Sequence, residues 1–463
     1  MNQSLLALRT HRTLKLLSCF AVLWLHASSV HANGAFPAVS QLLADPADSA
    51  HLVLRSNFGL LLSHDHAQTW DWVCEAGVGY QNVEPAIAVL DDGTTIAALP
   101  NGVAHGATEC AFELSSGVTG YVADVARVPG AAEGVGAVAV SVDIDGGISR
   151  VFRSVDSGRS FAPYGRALNE LNATTLDVAS DDSNRLYVSG ISQAEAITGV
   201  LARSADGGQT WERLDVPGAN KLSAPYIAAI DARDPDTLYV RLSGTPGKLL
   251  ATHDGGLHWL AVLDFTGPLD GFALSPDGRF ALASGRNDGV WRASTSDLAF
   301  ERVSCAKLRC LSWTNAGLFA CADEFQAGFL VGESEDLGES FEARLHLSCV
   351  RGPLACDSES SVARACDAAW PAQSEVLGAD CANAGFTPHD DCSKTSDSSA
   401  GTSSTADAGA SAASGAAGAQ AELHAGSGCA LRAHSRARWT CLVVLVPLLA
   451  RLARRRVARQ KRA

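Results

Sequence analysis

A chain of 463 residues with 47% hydrophobic, 19% charged and 6% aromatic side chains holds enough apolar material for a large core, which excludes wholesale disorder. No collagen period, heptad run or row of long apolar segments is present, so fibrous and polytopic membrane classes are excluded too. Of its 36 Lys and Arg, 13 lie within residues 1–32 and 429–463, which hold none of the 50 Asp and Glu, so residues 33–428 carry a formal charge of −27. Such a body repels phosphate backbones and anionic surfaces, and no nucleic-acid partner is expected.

In chain order, Arg9, Arg12 and Lys15 precede the apolar stretch Leu16–Leu25, and Val30-His31-Ala32 offers a small-residue cleavage site before Asn33. The stretch is too short for a bilayer, which needs about 20 apolar residues. Residues 1–32 are therefore expected to be a secretory signal, cut between Ala32 and Asn33.

From residue 36 to 348 one pattern recurs: Ser/Thr-x-Asp-x-Gly-x-Ser/Thr/His-aromatic. It reads SVDSGRSF from Ser154, SADGGQTW from Ser204, THDGGLHW from Thr252 and SEDLGESF from Ser334. SHDHAQTW from Ser63 has Ala67 in place of the glycine, while HGATECAF from His105 and STSDLAF from Ser294 fit the rhythm as degenerate copies. Their starts are 40 to 50 residues apart, the length of a four-stranded propeller blade, and there are seven of them. Each copy follows two short apolar, β-rich runs, such as Leu186-Tyr187-Val188 and Gly199–Arg203, separated by Asp/Asn/Pro/Gly turns. Helical periodicity is absent. The expected fold is all-β: a seven-bladed propeller of four-stranded blades over 36–348.

Within each copy the aspartate can accept backbone N–H groups in a tight hairpin, and the glycine can adopt a positive φ. The closing aromatic, as in Trp70, Trp211 and Trp259, can pack between blades. This pattern resembles the Asp-box, or BNR, repeat of sialidases, sortilin-type receptors, two-propeller xyloglucanases and the photosystem II assembly-factor family. The resemblance implies structural turns, remote from any ligand face, at Asp65, Asp156, Asp206, Asp254 and Asp336 with Gly158, Gly208, Gly256 and Gly338.

Catalytic signals are thin. A sialidase would carry an Arg-Ile-Pro motif, which is absent. Arg153 and Arg203 directly precede Asp-boxes and so belong toward the rim, and sequence alone cannot choose a carboxylate pair among the acids. Asp143–Gly147 lacks the ligands of a calcium loop and reads as a hairpin turn. His64 and His66 read as exposed turn residues, and no His-Glu-x-x-His or Cys-x-x-Cys occurs. No catalytic residue, metal site or cofactor is expected.

Setting aside Cys19, Cys429 and Cys441, ten cysteines remain: Cys74, Cys110, Cys305, Cys310, Cys321, Cys349, Cys356, Cys366, Cys381 and Cys392. An even number in an exported chain implies disulfides. The last five fall in a segment without blade patterning, so 349–394 is expected to be a small disulfide-stapled appendage, too poor in apolar residues to fold unaided. Cys305, Cys310 and Cys321 are assigned to blade seven, where one could pair with Cys349, and Cys74 and Cys110 could cross-link blades one and two. Residues 395–428, rich in Ala, Ser and Gly, read as a disordered linker. Gly428-Cys429, the apolar run Trp439–Ala450 and the following Arg cluster resemble a myxobacterial C-terminal sorting signal. That resemblance implies cleavage and surface anchoring at Cys429; a plain membrane anchor within 429–463 is the alternative.

The chain thus reads as an exported, cell-surface-anchored monomer, a non-catalytic recognition or adhesion module for a glycan or protein at one propeller face. The alternatives are a sialidase-like or xyloglucanase-like glycoside hydrolase and, third, an envelope assembly factor.

Overall fold

Strand-forming runs separated by tight turns leave each segment only its sequence neighbour to pair with, and the chain folds as a succession of antiparallel meanders. The computed structural model describes residues 37–131, 134–194, 197–378 and 380–383. The expected signal with Ala32 and Asn33, Cys392, the linker 395–428 and the terminal segment with Cys429 lie outside the described residues. Seven sheets follow one another: blade 1 (Val39–Cys74), blade 2 (Ile87–Leu114), blade 3 (Val122–Pro163), blade 4 (Leu171–Asp215), blade 5 (Pro225–Asp264), blade 6 (Gly271–Ser304) and blade 7 (Leu308–Leu345). Each has four strands in sequence order; in blade 3 the fourth place is shared by Ala162–Pro163 and Leu168–Asn169, both paired with Ile148–Ser154.

The first strand of every blade touches the first strand of the next, and Leu308–Thr314 of blade 7 touches Val39–Ala44 of blade 1, which closes the ring around a central channel. Second and third strands are covered by neighbouring blades on both faces. They are accordingly continuous apolar runs: Leu186, Tyr187, Val188, Leu249 and Ala251 are all fully buried. Fourth strands such as Glu212–Asp215 lie at the rim and are largely exposed. In an antiparallel meander alternate connections emerge on the same side, so the turns after strands one and three share one face and the remaining loops the other.

Inner strands are bulged in several blades, with register shifts at Val39/Gln41, Ala173/Thr175, Ile227/Ala229 and Leu308/Cys310. Backbone groups are joined there to polar side chains of the adjacent blade. Gln41 exchanges hydrogen bonds with both backbone groups of Ile87 (3.1 and 3.3 Å), Leu176 N donates to Asp124 (2.9 Å) and Ile227 N to Thr175 (2.9 Å). These bonds stitch blade 1 to 2, 3 to 4 and 4 to 5.

Beyond blade 7, residues Val350–Pro353 return to blade 1 and pair in parallel with its outer strand Trp70–Cys74, making that sheet five-stranded. Arg351 pairs with Asp71 across this edge (3.0 Å). Two one-turn helices, α1 (Glu75–Val78) and α2 (Glu324–Ala327), interrupt loops. A longer one, α3 (Ser361–Leu377), packs on α1 and on the outer strands of blades 1 and 2. Ser360 caps α3 by accepting from Ala363 N (3.1 Å), Gly378 ends it at φ +64°, and Trp370 tilts against Trp72 at 5.5 Å.

The disulfides correct two expectations. Cys74 pairs with Cys366 and Cys110 with Cys356, so neither joins blade 1 directly to blade 2. Cys74 ends the fourth strand of its blade, whereas Cys110 lies in the turn before the fourth strand of the next; a meander puts those points at opposite faces. Cys349 pairs with Cys381, and Cys310 with Cys321 directly opposite on the neighbouring strand of blade 7. Cys305 is disulfide-bonded too, but it follows the last strand of blade 6 instead of lying in blade 7. The segment after blade 7 is thus stapled chiefly to the propeller, with Cys349–Cys381 the one pair internal to it among the described residues.

Candidate functional site

The recurring turns come first, because they fix one face of the ring. In blade 4, Ser204 donates to Asp206 (2.8 Å) and accepts from Gly208 N (2.8 Å), while Asp206 accepts from the Thr210 backbone (2.9 Å) and hydroxyl (2.7 Å). The same four bonds form around Asp65, Asp156 and Asp336, and around Asp254 with the His258 imidazole in the hydroxyl's place. Those bonds, led by Thr210, bring the Asp206 pKa down to about 2. The glycines answer two demands at once. Gly158 has φ +76°, and a Cβ there would stand 2.7 Å from Ile96 of blade 2; at Gly338 it would stand 2.7 Å from Leu282 of blade 6. Ala67 adopts φ +63° without that relief. Trp211 donates to Arg166 O of blade 3 (3.0 Å), and Trp70 is fully buried.

The two degenerate copies differ. In blade 6, Ser296 stands where the aspartate would be and bonds Ser294 (2.8 Å), and Leu298 takes φ +52°. In blade 2 the residues from His105 to Phe112 form part of a plain hairpin between Gly102–Thr108 and Ala111–Leu114. That copy matches in position only. Asp143–Gly147 is a hairpin turn, with Gly146 N donating to Asp143 (3.0 Å).

The other face carries the mouth of the channel. Arg55 (blade 1) donates to Ser40 (3.1 Å) and to Pro85 O in the loop leaving blade 1 (2.8 Å). Arg241 (blade 5) stacks over Tyr226 at 4.8 Å and reaches Leu269 O in the equivalent loop. Burial lowers both guanidinium pKa values against the opposing charges of Glu84 and Asp124 at Arg55 and of Asp270 at Arg241, and the positive charge of Arg241 adds the smallest contribution, lowering that of Arg55. Blades 1 and 5 are not neighbours, so this mutual repulsion acts across the channel. Among the described residues neither arginine stands within ion-pair distance of a carboxylate, whereas Arg286 nearby is paired with Asp270 (2.8 Å). Both guanidinium groups are half-buried and bonded to hydroxyl and carbonyl oxygens, and such a pair favours an incoming anion.

Two acids line the same channel from adjacent blades. Burial pushes Asp124 up to about 7, with Asp177 adding to the shift, and pushes Asp177 up to about 6. Both oxygens of Asp124 already accept backbone N–H groups, from Val125 and Leu176 (each 2.9 Å). Its placement is dictated by the stitch between blades 3 and 4.

Sequence reading missed Arg241 and Arg55 as a pair, as well as Asp124 and Asp177; only their spatial convergence marks them. Arg153 and Arg203 lie toward the rim: Arg153 stacks on Tyr164, and Arg203 bonds Glu212 and the blade 5 turn at Asp254 O and Gly255 O. His64 and His66 both sit on turns, yet neither is isolated. His66 faces Glu333 of blade 7 at 3.3 Å, and His64 meets His51 and Glu109, neither of which any motif indicated. Two open clefts of about 370 and 500 Å³ lie at the rim between blades 3 and 5, one beside Trp211 and Arg213, the other beside Arg203 and Asp254.

No family model matches the chain, and no curated protein matches it. Solved structures do. An ancestral GH74 enzyme superimposes with a TM-score of 0.50 at 15% identity, over 67% of this chain and 46% of that one. The extracellular domain of a one-component system of B. thetaiotaomicron gives 0.44 at 13% identity, over 62% and 37%. The Cps50 (Swd1) β-propeller domain of Myceliophteria thermophila gives 0.44 at 8% identity, over 62% and 97%. The chain spans less than half the length of the first two. At these identities the likeness is one of fold, and the chain is a seven-bladed β-propeller carrying disulfides, a bond type typical of oxidising compartments.

Proposed function

We propose that this propeller is an exported, surface-anchored recognition module that binds an anionic group of a glycan or protein at the channel mouth and does not hydrolyse it. The observation that carries this reading is the pair Arg55 and Arg241: two guanidinium groups from non-adjacent blades, held in place by backbone carbonyls and lacking a carboxylate partner among the described residues. The chain's overall negative charge supports a small anionic group as ligand, since a polyanion would be repelled by the remaining surface. In this reading the five turns are Asp-boxes that shape the opposite face, and Cys429 supplies the anchor.

The test is binding of the purified protein to carboxylated and sulfated glycans and peptides beside neutral counterparts. Arg241→Ala should weaken binding of the anionic set at least tenfold, and Arg55→Lys should retain part of it. Equal binding of neutral and anionic ligands would refute the reading. A hydrolase remains the second reading, favoured by Asp124 beside Asp177, both with raised pKa values. It requires release of sugar from a glycoside panel and loss of that release in Asp124→Asn; the recognition reading requires no release at all.

A further inference from the structure

Three donors from three separate turns meet at the seam of blades 1 and 2, on the face opposite the channel mouth arginines. His51 ends the turn between strands one and two of blade 1, His64 opens the turn between strands three and four, and Glu109 lies in the blade 2 hairpin beside Cys110. Their ligand atoms lie within 4.8 Å of one another. His51 is 7% exposed, with Nδ1 3.1 Å from Asp45 Oδ2. Its Nε2 is buried and lacks an aligned hydrogen-bond partner, although Glu109 Oε1 stands 2.9 Å away. His64 Nε2 lies 2.9 and 3.0 Å from the two Glu109 oxygens, and the two imidazoles are stacked with centroids 4.9 Å apart and planes 5° from parallel.

We propose that His51, His64 and Glu109 form a site for a divalent transition-metal ion, Zn²⁺ first among them, with Asp45 as the positioning residue for His51. The Nε2 atoms of two stacked imidazoles face one carboxylate from three different turns, so three metal-ligating atoms converge on a single point. One ion there would take both Nε2 lone pairs and a carboxylate oxygen. The Asp45–His51 contact places the proton on Nδ1 and turns Nε2 toward the ion, as outer carboxylates do for ligating histidines. Imidazole and carboxylate donors suit zinc, nickel or copper over calcium and magnesium, which prefer all-oxygen shells. Zinc–nitrogen bonds of about 2.0–2.1 Å require the donors to draw closer, and the half-exposed His64 is free to swing inward. Three protein ligands leave a fourth position for water or for a donor on a bound partner. The ion would also tie a turn of blade 1 to a turn of blade 2, next to the Cys110–Cys356 bond.

The experiment uses the chelator-treated, disulfide-intact protein, titrated with Zn²⁺ by calorimetry and with Co²⁺ by visible absorption. One saturable equivalent, a four-coordinate Co²⁺ spectrum and a Zn²⁺-dependent rise in the thermal midpoint are expected. His64→Ala and Glu109→Gln should each weaken Zn²⁺ at least tenfold and abolish the thermal shift, while Asp45→Asn should weaken it about 10- to 100-fold. His66→Ala, two residues away and paired with Glu333, should bind as the unmodified protein does. His64 is on an exposed turn, so an unchanged circular dichroism spectrum separates lost binding from misfolding. Absence of saturable binding, or unchanged affinity in a folded His64→Ala, would overturn the proposal. Neither outcome bears on Arg55 and Arg241.

Discussion

The seam between blades 1 and 2 is built differently from the ring that runs through blades 3, 4, 5 and 7. In those four blades, the turn before the last strand is held by one aspartate, the hydroxyl that opens the turn, a second side-chain donor four residues after the aspartate, and a glycine pressed against the preceding blade. At the seam blade 1 has alanine where the glycine belongs and blade 2 has no such turn. Two disulfides, an extra parallel strand and a docked helix are added there. Local hydrogen bonding and long-range cross-linking thus serve one end, with both present at blade 1 and the second alone at blade 2.

The sharpest way to break this comparison is to cut the seam. Cys110→Ser with Cys356→Ser should lower stability by about 2–5 kcal/mol in a denaturant titration, since that bond joins residues 246 apart. Cys310→Ser with Cys321→Ser, which opens a separation of only 11 within one sheet, should cost less. Equal losses would mean that the seam is no special weak point. Next in size, Gly158→Ala should destabilise by roughly 2–4 kcal/mol, because it adds both a disfavoured φ and contact with Ile96. The converse change, Ala67→Gly, relieves a positive φ at a buried position and should stabilise by only about 0.5–1 kcal/mol, read from the thermal midpoint.

Slopes of stability against pH should appear with opposite signs in two places. Asp206, near 2 in the fold against 3.8 ordinarily, contributes stability that is present above about pH 4 and lost as pH falls toward 2. Asp124, near 7 in the fold, binds its proton more tightly than the unfolded chain does, so stability falls as pH rises from about 4 to 7. Asp124→Asn should shrink the second slope, leaving the part that Asp177 contributes up to about pH 6, and leave the first window intact. A variant with the slope of the unmodified protein between pH 4 and 7 would show that Asp124 ionises normally.

What the sequence made legible was whatever the chain writes locally. Seven blades and their strands follow from the spacing of a short recurring pattern and the apolar runs before it, although the blade 2 copy matches in position only. The helix Ser361–Leu377 had local marks too, Ser360 at its start and Gly378 at its end, but the crowd of cysteines and the scarcity of apolar residues pointed to a disulfide-stapled appendage. Pairings such as Cys74 with Cys366 and convergences such as Arg55 with Arg241 depend on ring closure, and that of His51 with Glu109 on the docking of two successive blades. No spacing in the sequence encodes them, because each partner is delivered by a different blade.

The parallel strand Val350–Pro353 has a consequence for biogenesis. A ribosome releases blade 1 first, but the strand that covers its outer edge and the cysteines that lock blades 1 and 2 come only after blade 7. The earliest part of the chain therefore waits, with Trp70–Cys74 open to stray pairing and Cys74 and Cys110 still thiols, until nearly all the rest has been made. Native pairing of Cys74 and Cys110 must follow synthesis of blade 7, and a chain truncated before Val350 would keep that edge open for good.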